Sequence, residues 1–417
     1  MVEFKTVRVP QLAWYGNTEL ELQFPSAWDV VTLNMKGHAR SPLNSKELKE
    51  AFANPIGNKR IGELARGKKE VAILFDDMSR PTRIAELVPY VLDELASAGV
   101  PDEGIRFIAA VGAHGALTRI DFAKKLGEAV LERFPVYNHN PYENCTPLGE
   151  TSRGTPVSIN SEVMSCDLKI GIGCIVPHPI TGFGGGGKII LPGVASVDTI
   201  VANHGALMQR AFASGERPGT GLGTFEENLV RQDVVEATRL AGLDIKIDAL
   251  VNTKGETTAL FVGDPVAEQI EGVKLAREVY ATARPAGVDI AVVNAYSKAS
   301  EANLTVPLGT QALGEEGGDL VVIANAPEGQ VTHYVYRSFG KEVGGRLWRR
   351  RTSMSPKVKR LIIFAPYMDR TAADWMAPPE SIIWAKTWVE VLEVLREAHS
   401  DSAKVAVIPD ATIQYFP

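Results

Sequence analysis

The hydrophobic positions change period along the chain. The first 35 residues alternate apolar and polar, as in LELQF (20–24) and WDVVTL (28–33), which predicts antiparallel strands or a hairpin. Beyond them, strand-like apolar runs, of which VAILF is continuous, alternate with helical periodicity. VAILF (71–75), IRFIAAV (105–111) and LKIGIG (168–173) read as buried strands. Helices are expected from Ile84 to about Val100, from about Thr118, and over 197–210 and 224–241. DIKIDALVNTKGETTALFVGD (244–264) reads as a hairpin on a Lys-Gly turn, with a helix from about Pro265 to Tyr280 after it. ATARPAG (281–287) reads as a hinge. A second set follows: VDIAVVNA (288–295), DLVVIANA (319–326), VKRLIIFAP (358–366), a helix near 380–398, and KVAVI (404–408).

Buried strands alternating with helices predict an α/β fold with mostly parallel sheets. The expected division is an N-terminal α/β domain over 1–281 that carries the site, and a C-terminal α/β domain over 282–417 that closes over substrate. The last strand is free to return to the first domain. An interdomain cleft is the expected active site. Ligands of open α/β sheets bind beyond the C-terminal strand ends, and three polar loops begin there, at 76–83, 112–119 and 174–188.

Composition narrows the function. The chain has 417 residues, is 45% hydrophobic and 23% charged, and carries a formal charge of -6, the balance of a soluble globular protein. No basic tract interleaves with aromatics, which argues against nucleic acid as a partner. The N-terminus has no apolar leader, and no apolar run approaches a membrane span. Cys145, Cys166 and Cys174 follow no metal spacing, so the reducing cytoplasm is the expected location.

Candidate chemistry clusters in the three loops. Gly182 to Lys188 fits G-x-x-x-x-G-K, but Ile189 stands where a phosphate loop needs Ser or Thr, and Pro192 follows where a helix should open. A run of glycines suits a sharp turn or a close approach to a ligand. Lys188 is either a solvated lysine on a flexible loop or, given its apolar flank IILPGV, a group fit for covalent chemistry. His114 and His178 open loops after strands. His204 sits on the expected helix on one face with Val197 and Val201, so a core role is open to it. Neutral imidazole can ligate a metal or move a proton, and two histidines flanking a substrate suit inversion of a stereocentre. A lone histidine is a poor zinc site, so a metal at His204 needs other donors. In FDDMSRPTR (75–83), Asp77 suits ribose hydroxyls and Arg80 suits phosphate or carboxylate; a helix cap and a surface arginine are the plainer alternatives.

The segments DDMSRPT (76–82), GAHGALT (112–118), PHPITGFGGGGKIILPG (177–193) and NHG (203–205) resemble the nickel-dependent lactate racemase family, whose members racemise or epimerise 2-hydroxy acids. The resemblance implies a nickel-pincer nucleotide, a pyridinium-3-thioamide-5-thiocarboxylic acid mononucleotide joined covalently to Lys188. It implies His204 as the nickel ligand, His114 and His178 as the acid–base pair, and Asp77, Met78, Ser79 and Arg80 around the nucleotide. It also implies enzymes that mature the cofactor as partners and a small 2-hydroxy acid as substrate, held by Arg80, Tyr296 and Lys298. Where lactate-type members have a Gly-Gly-Tyr-Pro-like turn, this chain has Asn294-Ala295-Tyr296-Ser297. Glu301, His333, Arg337, Lys341 and Arg346 are further candidates for a substrate cleft. Trp384 and Trp388 are read as a packing pair on the C-terminal helix. The alternatives are an acid–base lyase or metal-independent isomerase on the same scaffold, or a non-catalytic small-anion binder.

Overall fold

The computed structural model describes residues 3–337, 345–347, 353–399 and 402–417; Lys341 lies outside them. The protein is mixed α/β with mostly parallel sheets, in two compact units. One unit is Arg40–Glu278; the other joins Met1–Ala39 to Val279–Pro417.

Strands β1 (Phe4–Gln11) and β2 (Thr18–Pro25) form the expected antiparallel hairpin, and β3 (Asp29–Thr32) follows. In the unit Arg40–Glu278 come β4 (Val71–Phe75), β5 (Ile105–Ala109), β6 (Val136–Asn138), the antiparallel pair β7 (Cys145–Glu150) and β8 (Pro156–Asn160), and β9 (Leu168–Cys174). Two-residue strands β10 (Pro177–His178) and β11 (Gly182–Phe183) pair with each other, and β12 (Ile245–Val251) and β13 (Thr257–Gly263) form the expected hairpin. The six-stranded sheet runs β13-β12-β9-β4-β5-β6, parallel except for β13. Every residue of β4, β9 and β12 is buried, which places these three strands inside the sheet. The helix Ile84–Ser97 links β4 to β5 and buries Leu87, Val88, Val91 and Leu95. From β4 the chain winds outward through β5 and β6, then returns to β9 on the other side. The gap between β4 and β9 is therefore the topological switch point, where a crevice opens beyond the strand ends.

The other unit contains β14 (Ile290–Asn294), β15 (Gly318–Ile323), β16 (Val358–Phe364), β17 (Ile382–Ala385) and β18 (Lys404–Ile408). Its parallel sheet runs β17-β16-β15-β14-β18-β3, with its switch point between β14 and β18.

Two expectations are corrected here, and one helix is refined. Residues 1–39, expected in the first domain, pack with the C-terminal unit. β3 extends that sheet in parallel, Asp29 opposite Lys404 and Thr32 opposite Val407, so β18 stays in its own unit. The hairpin is held by Phe24 against Trp388, ring centroids 5.2 Å apart, and by the Trp388 indole N–H donating to Gln23 O at 2.7 Å. Alternation reports a half-buried strand but not its partner, which here lies at the far end of the chain. The helix near 380–398 is instead β17 followed by the helix Trp388–Ala398, capped by Thr387, so Trp384 is not on it. The helix over 197–210 is Val197–Val201, a π turn at Ala202–Ala206, then Leu207–Ala213. All three cysteines are unpaired, and no described helix is long and apolar enough to cross a membrane.

Candidate active site

A pocket opens at the β4/β9 switch point. Asp76, Asp77, Arg80, Val111, His114, Cys174, Gly184, Gly185 and Lys188 line it, with Lys246 and Asp248 from β12. All three loops expected to converge supply a wall.

The loop after β4 is shaped from below by Lys125, which is fully buried. Its ammonium donates to Asp76 Oδ1 at 2.7 Å, Arg80 O at 2.8 Å and Thr82 O at 3.3 Å. Burial raises the Asp76 carboxyl above its usual range although Lys125 opposes the shift. A buried lysine with three oxygen acceptors fixes the path of this loop, and with it the placement of Asp77 and Arg80.

Asp77 spends both oxygens inside the protein. Oδ1 accepts from Ser79 N at 2.9 Å and Ser79 Oγ at 2.6 Å; Oδ2 lies 2.5 Å from His114 Nδ1. Burial alone would raise this carboxyl, but His114, Arg80 and Ser79 outweigh it and hold it far below the usual range. A carboxylate accepts, so His114 Nδ1 carries a proton, and in the neutral ring the lone pair is then on Nε2. Arg80 Nη1 braces the turn by donating to Ser79 O at 2.8 Å and Ser79 Oγ at 2.7 Å. Ser79 is buried and Met78 half-buried, and neither lines the pocket.

The glycine loop is tight mainly because protein packs against it. A Cβ on Gly187 would come within 2.1 Å of Thr238 Oγ1, and one on Gly186 within 2.5 Å of the Gln269 side chain. At Gly185, with φ +77°, it would meet Asp248 Oδ2 at 2.6 Å. Asp248 accepts from Gly186 N at 2.5 Å, and Gln269 donates to Gly184 O at 2.9 Å. Asp248 also pairs with Lys246, and both are buried. Beside them Glu268 is buried, and burial followed by the Asp248 charge pushes its carboxyl well above the usual range. Under this scaffold the turn Gly186–Ile189 holds Lys188 half-buried at the pocket wall.

His178 and His204 do not line this pocket. His178 is half-buried on β10, and its Nδ1 faces Ile180 N at 3.2 Å and Thr181 N at 3.3 Å. His204 is buried inside the π turn, a wide helical turn that often marks a functional position. The turns bearing Lys188 and His204 pack on one helix, Leu229–Ala241. Thr238 of that helix sits under Gly187, while Asp233 accepts from Asn203 at 2.7 Å. Lys188 and His204 thus share a platform.

Tyr296 and Lys298 belong to the other unit. Both are buried, at the C-terminal end of β14 beside its switch point. Ser297 N donates to Asp410 Oδ1 at 3.3 Å and Ser297 Oγ bonds Asp410 Oδ2, tying this turn to the end of β18. Glu301 is buried nearby in sequence, and Arg337 is buried and paired with Asp369 at 3.3 Å. His333 packs against Tyr336 and Trp375, with centroids 5.2 and 5.3 Å away.

Sequence reasoning missed Asp76, Lys125, Lys246, Asp248 and Glu268. One signal was available: Lys246 and Asp248 interrupt the otherwise apolar strand IKIDALV, and charges on a doubly covered strand need partners.

Fold and site together define a doubly wound α/β protein with a small-ligand pocket at a switch point. Residues 15–215 match the family model described as the lactate racemase N-terminal domain. The lactate racemase of Thermoanaerobacterium thermosaccharolyticum is 28% identical over 333 residues, 78% of this chain and 76% of that protein. That of Lactiplantibacillus plantarum is 28% identical over 387 residues, 87% and 88% of the two. In fold, the chain matches the lactate racemase apoprotein structure from T. thermosaccharolyticum with TM-score 0.72 at 23% identity, covering 99% of this chain and 100% of that one. A Thermotoga maritima protein matches with TM-score 0.65 at 16% identity, covering 91% and 100%. The chain is thus similar to lactate racemases over most of its length, and residues 15–215 carry the match to the family model.

Proposed function

We propose that the protein is a racemase or epimerase that inverts C2 of a small 2-hydroxy acid, working with a nickel-pincer nucleotide attached at Lys188. The observation that carries this reading is the convergence of Lys188, Arg80 and the His114–Asp77 pair on one switch-point pocket, in a chain similar to lactate racemases.

The residues present fit such a group. Among the described residues no cluster of three or more His, Cys, Asp or Glu side chains could hold a metal ion. His204 would supply one imidazole to a metal whose other donors would come from the bound cofactor, and soft donors together with imidazole would suit nickel. Lys188 supplies an amine at the pocket wall, beside Gly184 and Gly185. Arg80 supplies a fork for phosphate or for the substrate carboxylate. When bound, the cofactor supplies a reversible acceptor for the hydrogen on C2.

The chain's own work is to bind, orient and move a proton. His114 presents the Nε2 lone pair to a hydroxyl, and Asp77 stabilises the imidazolium that forms. His178 reaches the substrate oxygen from another loop. Tyr296 and Lys298 complete recognition of the carboxylate. Neutralising Arg80 and Lys298 charges keep a transient 2-keto acid from escaping. Enzymes that build and install the cofactor are the partners this chemistry requires. The unpaired thiols suit a reducing compartment, and we place the protein in the cytoplasm.

The test is a panel of enantiopure 2-hydroxy acids offered to cofactor-loaded protein, read by chiral chromatography. Interconversion of the enantiomers of at least one small member is expected. Dehydration products without inversion would favour the lyase alternative, and tight binding without turnover would favour an anion-binding protein.

A further inference from the structure

The π turn that carries His204 is tied to the helix Leu229–Ala241 through the side chain just before the histidine. Asn203 is fully buried, and its amide gives protons to Asp233 Oδ2 at 2.7 Å and to Val230 O at 3.3 Å. Asp233 is fully buried too, and its Oδ1 accepts from Thr151 Oγ1 at 2.5 Å. Val230 and Asp233 are three apart and share a face of the helix. The Lys188 turn rests on the neighbouring face, since Val234 and Thr238, four apart, supply the side chains that a Cβ on Gly187 would meet. The helix is pinned at both ends, by the Asn228 side chain accepting from Arg231 N at 2.9 Å and by Gly242 in the left-handed conformation. Asn203 is not fully satisfied in return. Its Oδ1 is buried with no hydrogen-bond partner among the described residues. A stranded acceptor costs stability, so packing alone does not account for this asparagine.

We propose that Asn203 and Asp233 are positioning residues for the metal ligand, and that they hold His204 at a fixed offset from Lys188 with the helix as the gauge. From Asp233 to Thr238 is five residues, about 7.5 Å along the helix axis. This deepens the function proposed above and rests on it for the nickel. A group fastened at Lys188 and met by His204 needs both turns in register. The link at Lys188 is covalent and survives a loose turn. A coordinate bond from imidazole does not, because it weakens as the ring drifts from its direction. Neither Asn203 nor Asp233 touches the reacting atoms. Hydrogen bonds that orient a metal ligand from behind are worth about 10- to 100-fold in metal affinity.

Two variants separate positioning from plain stability. Asn203→Leu removes the tie to Asp233. Thr151→Val removes the other donor to the same buried carboxylate and leaves the tie in place. The cofactor-loaded full chain is challenged with a chelator; nickel is followed by elemental analysis, and the organic group on Lys188 by intact mass. Asn203→Leu is expected to lose nickel about 10- to 100-fold more readily while the added mass stays, and Thr151→Val to match the parent. Equal losses from the two variants, or Asn203→Leu holding nickel as long as the parent, overturns the proposal. Asn203→Ser, too short to reach Asp233, carries the same expectation should the leucine variant fail to fold. In the cofactor-free chain, amide hydrogen exchange over Ala202–Ala206 should be roughly tenfold faster in Asn203→Leu, the worth of one hydrogen bond to a carboxylate, and unchanged in Thr151→Val. Unchanged exchange in Asn203→Leu also overturns the proposal. A parent chain that takes up no nickel nucleotide fails the functional reading instead, and the exchange then judges the tie.

Discussion

Replacing Gly187 with Ala tests why the lysine loop is built of glycine. Gly187 does not need a left-handed backbone; its constraint is the helix Leu229–Ala241. The added methyl would lie 2.1 Å from Thr238 Oγ1, 3.1 Å from Thr238 Cβ and 3.2 Å from Val234 Cγ1. Thr238 is buried, and its hydroxyl bonds Val234 O at 2.7 Å and Gly187 O at 3.3 Å. Relief therefore requires either rotating a buried hydroxyl away from its acceptors or moving the helix. Overpacking of this kind costs about 1–3 kcal/mol. Losing the hydroxyl's bonds adds about 1 kcal/mol. The expected loss is roughly 2–4 kcal/mol, read as a lower urea midpoint at unchanged slope in the cofactor-free chain. Thr238→Ala removes the clashing oxygen, so the double variant should recover about 1–2 kcal/mol relative to the sum of the single changes. A Gly187→Ala protein as stable as the parent, or strict additivity of the pair, would refute the packing argument and leave ligand approach as the reason for the glycines.

Three further outcomes are expected. Asp77→Asn removes the acceptor that fixes the His114 tautomer; loaded enzyme should lose on the order of 10³–10⁴-fold in turnover, while intact mass shows the cofactor retained. Lys125→Met strands the buried Asp76 carboxyl and two carbonyls and should destabilise the chain by about 3–5 kcal/mol in chemical denaturation. His139 is buried, with its ring 2.9 Å from Ala195 O, and burial pushes its pKa down from 6.5 to about 4. Between those values the unfolded chain binds more protons than the folded one. Its contribution is therefore complete above pH 6.5 and is lost as pH falls toward 4, amounting to about 2 kcal/mol by pH 5. His139→Gln should flatten that part of the urea-stability profile.

Much of the architecture could be read from period alone. VAILF is a continuous apolar run, and LKIGIG and KVAVI are nearly so, because both faces of their strands are covered, and each is a strand where expected. Lys188, His114, Asp77 and Arg80 could be singled out because polar loops at strand ends carry chemistry, and all four line the pocket. What the sequence did not reveal depends on partners far away in the chain. β3 alternates like a hairpin strand, yet its neighbour is β18. The bond between Asp77 and His114 joins residues of two separate loops and has no signature in the sequence. The π turn around His204 has no periodic signature, since one extra residue in a turn leaves the apolar stripe almost unchanged. Nor could the glycines be assigned to Thr238, Gln269 and Asp248, whose positions follow from tertiary packing.

The origin of the hydrogen on C2 tests the chemistry most directly. A single enantiomer of a small 2-hydroxy acid is racemised by cofactor-loaded protein in deuterated water, and the product is examined by mass and proton NMR. Hydrogen that leaves C2 with its electron pair and is returned never mixes with solvent, so both enantiomers should keep protium at C2. Deuterium entering C2 in step with inversion would mean proton abstraction from carbon, and would contradict the proposed reaction at its centre.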